Sequence, residues 1–353
     1  MTRIVAAPHA QQLTQLRTAS VDDLLSDLAT AEVTQPAIPF ELDLSTLDRL
    51  ERPAGAILSN ALIGTFGSLP LRIKLPPASI PEWLEYSGLA FALANREGPT
   101  DLLGLDRPED LVAPWREYWL PGAELVEEPG SQPLFSPGIV GETETIPNIT
   151  GSCCASFVDP HLSSADVGSH PLNTFVWPWL DRLLPGQRQK REGTGDRYAL
   201  IEDIGRLVDE TVQNVTQHAV TYGQDVRSLL QVAVTHGGGA KSFDRVYLAV
   251  QDTGPGIVST ARGKVDAVAR ASIDDQQLLF KLFDGSLPPW GRGRGMGLPK
   301  VLEICANHQG VLHVATQFTR LRAESARPPL VTWRNGVGLK GTVIVLMLPL
   351  TYK

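Results

Sequence analysis

The chain has 353 residues, 42% of them hydrophobic, enough for two packed domains of ordinary size. Its formal net charge is −8 and its basic residues gather only in the short run 188–191, so duplex nucleic acid is not the favoured partner. No apolar run approaches the roughly 18 residues of a membrane span, the start carries no apolar signal segment, and Cys153, Cys154 and Cys305 form neither a disulfide framework nor a zinc cage, so a reducing, cytoplasmic setting is expected.

Residues 1–35 read as a polar lead-in with one amphipathic helix around Ser20–Ala31. "IPFELDLSTL" reads as a strand, and "RPAGAILSNALIGTFG" as a helix begun near Pro53 and stopped at Gly67. "PLRIKLPP" alternates like a second strand, and "IPEWLEYSGLAFALANREG" is again helical. Strand, helix, strand, helix over residues 36–98 make a small α/β unit. Residues 99–170 hold many prolines and glycines and few periodic runs, and read as an irregular connector. A second folded unit is expected over 171–353, opening with a helix in "LNTFVWPWLDRLLPG".

From Arg197 the pattern sharpens. Ile204, Val208, Val212, Val215 and Ala219 recur at helical spacing and form one apolar stripe. "RSLLQVAVTH" and "DRVYLAVQD" read as strands of an antiparallel hairpin joined through a glycine-rich turn. After a variable stretch come a glycine loop, a helix over 298–307, and strands in "GVLHVATQF", "LVTWRN" and "GTVIVLMLPL". Antiparallel strands with helices on one face predict an α+β sandwich in place of a doubly wound parallel sheet.

Three polar constellations sit on this second unit. Glu210 and Asn214 are four residues apart, which puts both on one face of the helix, opposite the apolar stripe. Beside a triphosphate the amide oxygen can bind Mg²⁺ and the carboxylate can orient or deprotonate a nucleophile; the plainer reading is a solvated helix face, with His218 packed or capping. Asp252 ends a strand and is followed by Gly254 and Gly256. Such a carboxylate can accept the exocyclic amine proton of adenine while the glycines let the chain pass close to the base, or it can close an ordinary Asp-x-Gly turn. "GRGRGMGLPKV" places Gly291, Gly293, Gly295 and Gly297 at alternate positions before a helix. That loop can cradle phosphate on backbone N–H groups at a helix start, and Arg292 and Arg294 either touch phosphate or only solubilise. "HGGG" at 236–239 has no accompanying G-x-S-x-G elbow and reads as the hairpin turn.

Glu-x-x-x-Asn, Asp-x-Gly-x-Gly and Gly-x-Gly-x-Gly, in that order, resemble the GHKL ATPases: DNA gyrase B subunits, heat-shock chaperones, MutL proteins, histidine kinases and anti-sigma-factor kinases. "DETVQNVTQHA" looks like their N box, "DTGPGI" like the first glycine box, "GRGRGMGLPKV" like the second, and "GTVIVLMLP" like the closing strand. The resemblance implies a Bergerat-type α/β sandwich over 171–353 with a mixed, mostly antiparallel sheet, binding ATP with Mg²⁺. It implies Glu210 as catalytic base and Asn214 as metal ligand. The nucleotide-binding set it implies is Asp252, Gly254, Gly256 and Ile257, then Gly291, Gly293, Arg294, Gly295, Met296, Gly297 and Leu298, and finally Thr342. No histidine precedes an acidic residue in the pattern of sensor kinases, so autophosphorylation on histidine is not expected. Residues 36–98 resemble a STAS-like domain, although Arg52-Pro53-Ala54-Gly55 stands where the phosphorylatable serine of anti-anti-sigma proteins opens the helix. The implied partners are ATP and a protein docking on the STAS-like domain, with a homodimer left open and no membrane. Three activities fit: ATP hydrolysis driving a lid or assembly switch, phosphorylation of a separate partner as in anti-sigma kinases, or ATP-dependent interaction without turnover.

Overall fold

A computed structural model describes residues 15–16, 18–34, 38–47, 49–75, 88–89, 92–93, 96–103, 149–155, 195–218, 226, 228–235, 245–265, 272–287, 297–324, 327–333 and 337–349. The chain divides into two compact units, residues 1–120 with 334–340 and residues 121–333 with 341–353. Among the described residues no helix is long and apolar enough to cross a membrane.

In the first unit, β1 (Gln15–Leu16) is followed by α1 (Thr18–Thr34), whose Val21, Leu24, Leu25 and Leu28 form a buried stripe at helical spacing. β2 (Phe40–Asp43) comes next, then β3 (Arg49–Leu50), which pairs with β1 in parallel. α2 (Arg52–Ile63) starts with Pro53 in its first turn, where a missing N–H leaves no bond unmade. Every residue from Pro53 to Ile63 is buried, so α2 is enclosed on all sides. β2, β4 (Leu71–Lys74) and β5 (Thr100–Leu103) form a parallel sheet in the order β2-β4-β5. Arg96 ties the loops beside this sheet together. Its guanidinium donates to the carbonyls of Phe66 (2.8 Å), Leu69, Gly98 (3.3 Å) and Pro99 (3.2 Å) and to the Thr100 hydroxyl (2.8 Å), and burial pushes its pKa down to about 10.

The second unit is built on a seven-stranded sheet and four described helices. Its elements are β6 (Ile149–Ala155), α3 (Gly195–His218), β7 (Ser228–Thr235), β8 (Arg245–Asp252), α4 (Ile257–Lys264), α5 (Asp275–Asp284), α6 (Gly297–Asn307), β9 (Val311–Gln317), β10 (Thr319–Glu324), β11 (Arg327–Trp333) and β12 (Leu339–Pro349). The strand order is β11-β10-β9-β12-β8-β7-β6. β6–β7, β7–β8, β8–β12, β9–β10 and β10–β11 all run antiparallel. β9 and β12 do too, because Gly310, just before β9, lies against Met347 while Thr316 bonds to the Gly341 carbonyl.

Strand alternation sends Val246, Leu248 and Val250 of β8, and Ile344, Leu346 and Leu348 of β12, to the same face. There they meet Leu200, Ile204, Leu207, Val208 and Val215 of α3, Val258 and Ala261 of α4, Leu278, Leu279 and Phe283 of α5, and Val301 and Ile304 of α6. One hydrophobic core therefore joins four helices to one face of the sheet, as the α+β sandwich requires. The antiparallel β7–β8 hairpin and α6 follow the sequence reading closely, whereas Val212, Ala219 and the helix expected in 172–186 lie outside the described side chains or residues.

Elsewhere the structure differs from the sequence reading. β5 and β6 lie inside the stretch 99–170 that reads as connector. Each gains its order from a neighbouring strand and not from a periodic pattern of its own. α4, α5 and β10 occupy segments with no assigned element. For α5 a signal was there to be read: Asp274 and Gln277 form a reciprocal capping box, and Gly285 closes the helix in the left-handed conformation (φ +74°).

Candidate functional site

The alternation that builds the core also places the polar end of the site. Asp252 follows Val250 on the helix-facing side of β8, and Thr342 stands opposite it on β12. Asp252 is 6% exposed, and burial pushes its carboxyl pKa up to about 7 against the opposing effect of its hydrogen bonds. The Gly254 N–H donates to Asp252 Oδ1 at 2.9 Å, and the Thr342 amide and hydroxyl also donate to this carboxylate. The Thr342 hydroxyl in turn accepts the Ile257 N–H at 3.0 Å. A backbone donor at the start of α4 thus orients the hydroxyl, and the hydroxyl orients the acid.

Two glycines make this close packing feasible. Gly256, at φ +84°, leads into α4, and a Cβ there would stand 2.8 Å from Thr316 Oγ1 and 2.9 Å from the Gly341 carbonyl oxygen. Gly341, at φ +85°, passes so close to β8 that a Cβ would lie 1.8 Å from the Asp252 carbonyl oxygen. Both positions need glycine for space as well as for backbone angle.

α3 forms the opposite wall. Its buried line runs through Ile204, Leu207, Val208, Thr211 and Val215, and the Thr211 hydroxyl is spent within the helix on the carbonyls of Leu207 (2.6 Å) and Val208 (3.1 Å). Glu210 and Asn214 do not stand opposite this line, as the sequence reading placed them. They flank it, each about 100° from a buried neighbour. That offset brings Asn214 to the lining of the cavity, where its Nδ2 is buried without a hydrogen-bond partner. α6 begins at the same place. A Cβ on Gly297 would lie 2.4 Å from Glu210 Oε2 and 3.3 Å from Asn214 Nδ2.

These elements line one narrow cleft. Val215, Val250, Ile257 and Ile344 supply apolar walls, Asp252 and Thr342 one polar end, and Asn214 the rim. A mostly apolar lining with an acid in it suits a heteroaromatic ring that carries an amine. The rim suits an anion: an unspent amide donor stands beside the first residue of a helix.

Of the residues singled out in the sequence, Asn214, Asp252, Gly256, Ile257 and Thr342 line this cleft; Gly254 is bonded to Asp252, and Gly297 stands beside Asn214 and Glu210. Leu298 packs into the hydrophobic core instead of facing the cleft, as the second position of an amphipathic helix does. Gly291, Gly293, Arg294, Gly295 and Met296 lie outside the described residues. Sequence reasoning missed Gly341, Thr316, Thr211 and Thr260. Only Gly341 carried a signal, as the glycine directly before Thr342; buried threonines leave no mark in a sequence. Residues 200–352 match the family model described as histidine kinase-, DNA gyrase B-, and HSP90-like ATPase. With the acid-ended cleft, the helix wall and the antiparallel sheet in place, this part of the chain is a GHKL-type, ATP-binding domain.

Proposed function

We propose that the second unit binds Mg-ATP in this cleft and hydrolyses it, with Glu210 as the base. The observation that carries the reading is the convergence of Gly297 on Glu210 and Asn214 at the cleft's rim, with Asp252 at the closed end. Asp252 accepts the adenine amine, held by Gly254 and Thr342, while Val215, Val250, Ile257 and Ile344 take the ring faces. Asn214 fits a metal-bound triphosphate well: its amide oxygen is a hard ligand and its orphaned Nδ2 is a ready donor to a phosphate oxygen. Bound Mg²⁺ supplies neutralisation of phosphate charge. Glu210 orients and deprotonates the attacking water, and the N–H groups opening α6 serve the phosphates; the family resemblance gives the same role to Gly291, Gly293, Arg294, Gly295 and Met296, which lie outside the described residues. Catalysis of this kind rests on positioning and electrostatics.

We further infer that the STAS-like stretch 36–98 serves as a docking module for a protein partner. The test is incubation of the pure chain with γ-labelled ATP and Mg²⁺, alone and with lysate. Free labelled phosphate from the pure chain is the expected result. Label transferred to a separate protein would replace hydrolysis with anti-sigma-type kinase activity, and nucleotide bound but unchanged would leave an ATP-dependent interaction module.

A further inference from the structure

α6 is the element that brings Gly297 to the rim, and both of its ends are held. At its start, a Cβ on Gly285 would stand 3.3 Å from Pro299 Cγ, so the end of α5 abuts the first turn of α6. At its finish the chain closes in a Schellman motif: Gln309 N–H donates to the Ala306 carbonyl at 3.1 Å and Gly310 N–H to the Cys305 carbonyl at 2.7 Å, with Gln309 at φ +53°. Gly310 then lies hard against β12, where a Cβ would meet Leu348 Cδ2 at 2.5 Å. The sheet thereby fixes where α6 ends.

His308 is the cap residue of that motif. Its Nε2 lies 2.9 Å from Asp203 Oδ2 on α3, and both side chains are largely buried. The other carboxylate oxygen of Asp203 is 3.6 Å from Arg206 Nη1. Asp203 and Glu210 are seven residues apart on α3, hence two turns apart on one face. The two helices run antiparallel: the end of α6 meets Asp203 while its start meets Glu210 and Asn214.

We propose that His308 is a positioning residue, whose bond to Asp203 locks α3 in register with the sheet-anchored α6 and so holds Glu210 and Asn214 against Gly297. The proposal rests on the ATPase reading above for its catalytic consequence, but the register itself does not. A slip of α3 along α6 moves the carboxylate off the reacting water while leaving Asp252 and Thr342, on β8 and β12, in place; of the apolar ring contacts only Val215 shifts. Misplacement of this kind lowers the chemical step far more than binding.

The experiment compares the full-length chain with His308→Ala, His308→Gln, Asp203→Ala and the double alanine variant. Turnover, ADP affinity by calorimetry, and hydrogen exchange at the Leu298, Lys300 and Val301 amides are measured for each. The expected result for His308→Ala is a kcat about tenfold lower with ADP affinity within about twofold, faster exchange at the start of α6, and no further loss in the double variant. His308→Gln, which can present a nitrogen near the Nε2 position, recovers most of the kcat. Unchanged kcat in folded His308→Ala, or kcat and ADP affinity falling together as from general loosening, would overturn the proposal. Asp203→Leu, close to aspartate in shape but with no acceptor, carries the same comparison if the alanine variants do not fold. If the parent chain turns over no ATP, the ATPase reading fails and exchange decides alone: faster exchange at α6 with β8 amides unchanged upholds the register lock, and unchanged protection ends it.

Discussion

Asp252 is the residue on which the most chemistry converges. Its burial favours the protonated form, so its carboxyl rises from 3.8 to about 7. The sign of the linkage follows. Between those values the unfolded chain has lost its proton and the folded chain has kept it, so the nucleotide-free protein loses stability as pH rises from about 4 to about 7 and is level above. Asp252→Asn removes that slope, which urea titrations across pH will show. With adenine's amine donating to Asp252 as proposed, the charged acid is favoured, so nucleotide affinity should rise with pH up to about 7 and binding below it should release a proton. Calorimetry in buffers of different ionisation enthalpy reads that proton directly, and zero release at pH 6 would remove Asp252 from the base contact. Losing that contact in Asp252→Asn costs about 2–3 kcal/mol, roughly 30–150-fold in ATP affinity, with the fold intact. The roles proposed for Glu210 and Asn214 can be told apart by substitution. Glu210→Ala keeps ATP binding and loses turnover, whereas Asn214→Ala weakens the Mg²⁺-dependent part of binding. Hydrolysis at the parental rate by Glu210→Ala would return that residue to a solvated helix face.

At the scale of elements, two glycines with similar sequence signatures carry different loads. Gly341 joins positive φ to a backbone collision: its Cβ would sit 1.8 Å from a β8 carbonyl, and neither strand can yield without breaking the β8–β12 ladder. Gly341→Ala should cost at least about 3 kcal/mol in chemical denaturation. A loss under about 1 kcal/mol would show that the strands can part there. Gly297 faces the far end of a flexible side chain, since its nearest neighbour is Glu210 Oε2 at 2.4 Å. Gly297→Ala should therefore fold within about 1 kcal/mol of the parent while pushing the carboxylate aside, lowering kcat with little change in ADP affinity. Loss of ADP affinity instead would mean that α6 bears on the adenine end. Helix grammar was readable here wherever it was local. Pro53 in a first turn and the apolar stripe of α3 both predicted the element that formed, and the Asp274–Gln277 box with Gly285 carried the same kind of signal for α5.

Across the whole molecule, the pairing of an ATPase domain with an N-terminal α/β unit raises the question of self-phosphorylation. Phosphoryl transfer needs a hydroxyl placed in line with the γ-phosphate. Pro53, Ala54 and Gly55 open α2 without one. Ser59 is fully buried and its hydroxyl donates to the Gly88 carbonyl at 3.0 Å. Ser45 donates to Asp43 Oδ1 at 2.5 Å, beside a negative charge that opposes an incoming phosphate. Prolonged incubation with Mg-ATP followed by intact mass and site mapping should find no stoichiometric phosphate in residues 36–97. Phosphate there would replace a docking module with a self-regulating switch.

The sequence by itself determined which segments become α3, β8, α6 and β12, and which polar residues sit at their ends. Periodicity, capping residues and glycine spacing act over one or two turns of chain, so they survive being read in isolation. The order of the three boxes was legible for the same reason, and it pointed to the right family over residues 200–352. Tertiary structure alone decided the strand order, the recruitment of β5 and β6 to their sheets, the need for glycine at 341, and the rotation that puts Asn214 at the rim of the cleft. It also decided the meeting of His308 with Asp203, which are 105 residues apart. Each of these is a contact between distant stretches, set by how side chains fill one shared core, and no local spacing encodes such a pairing.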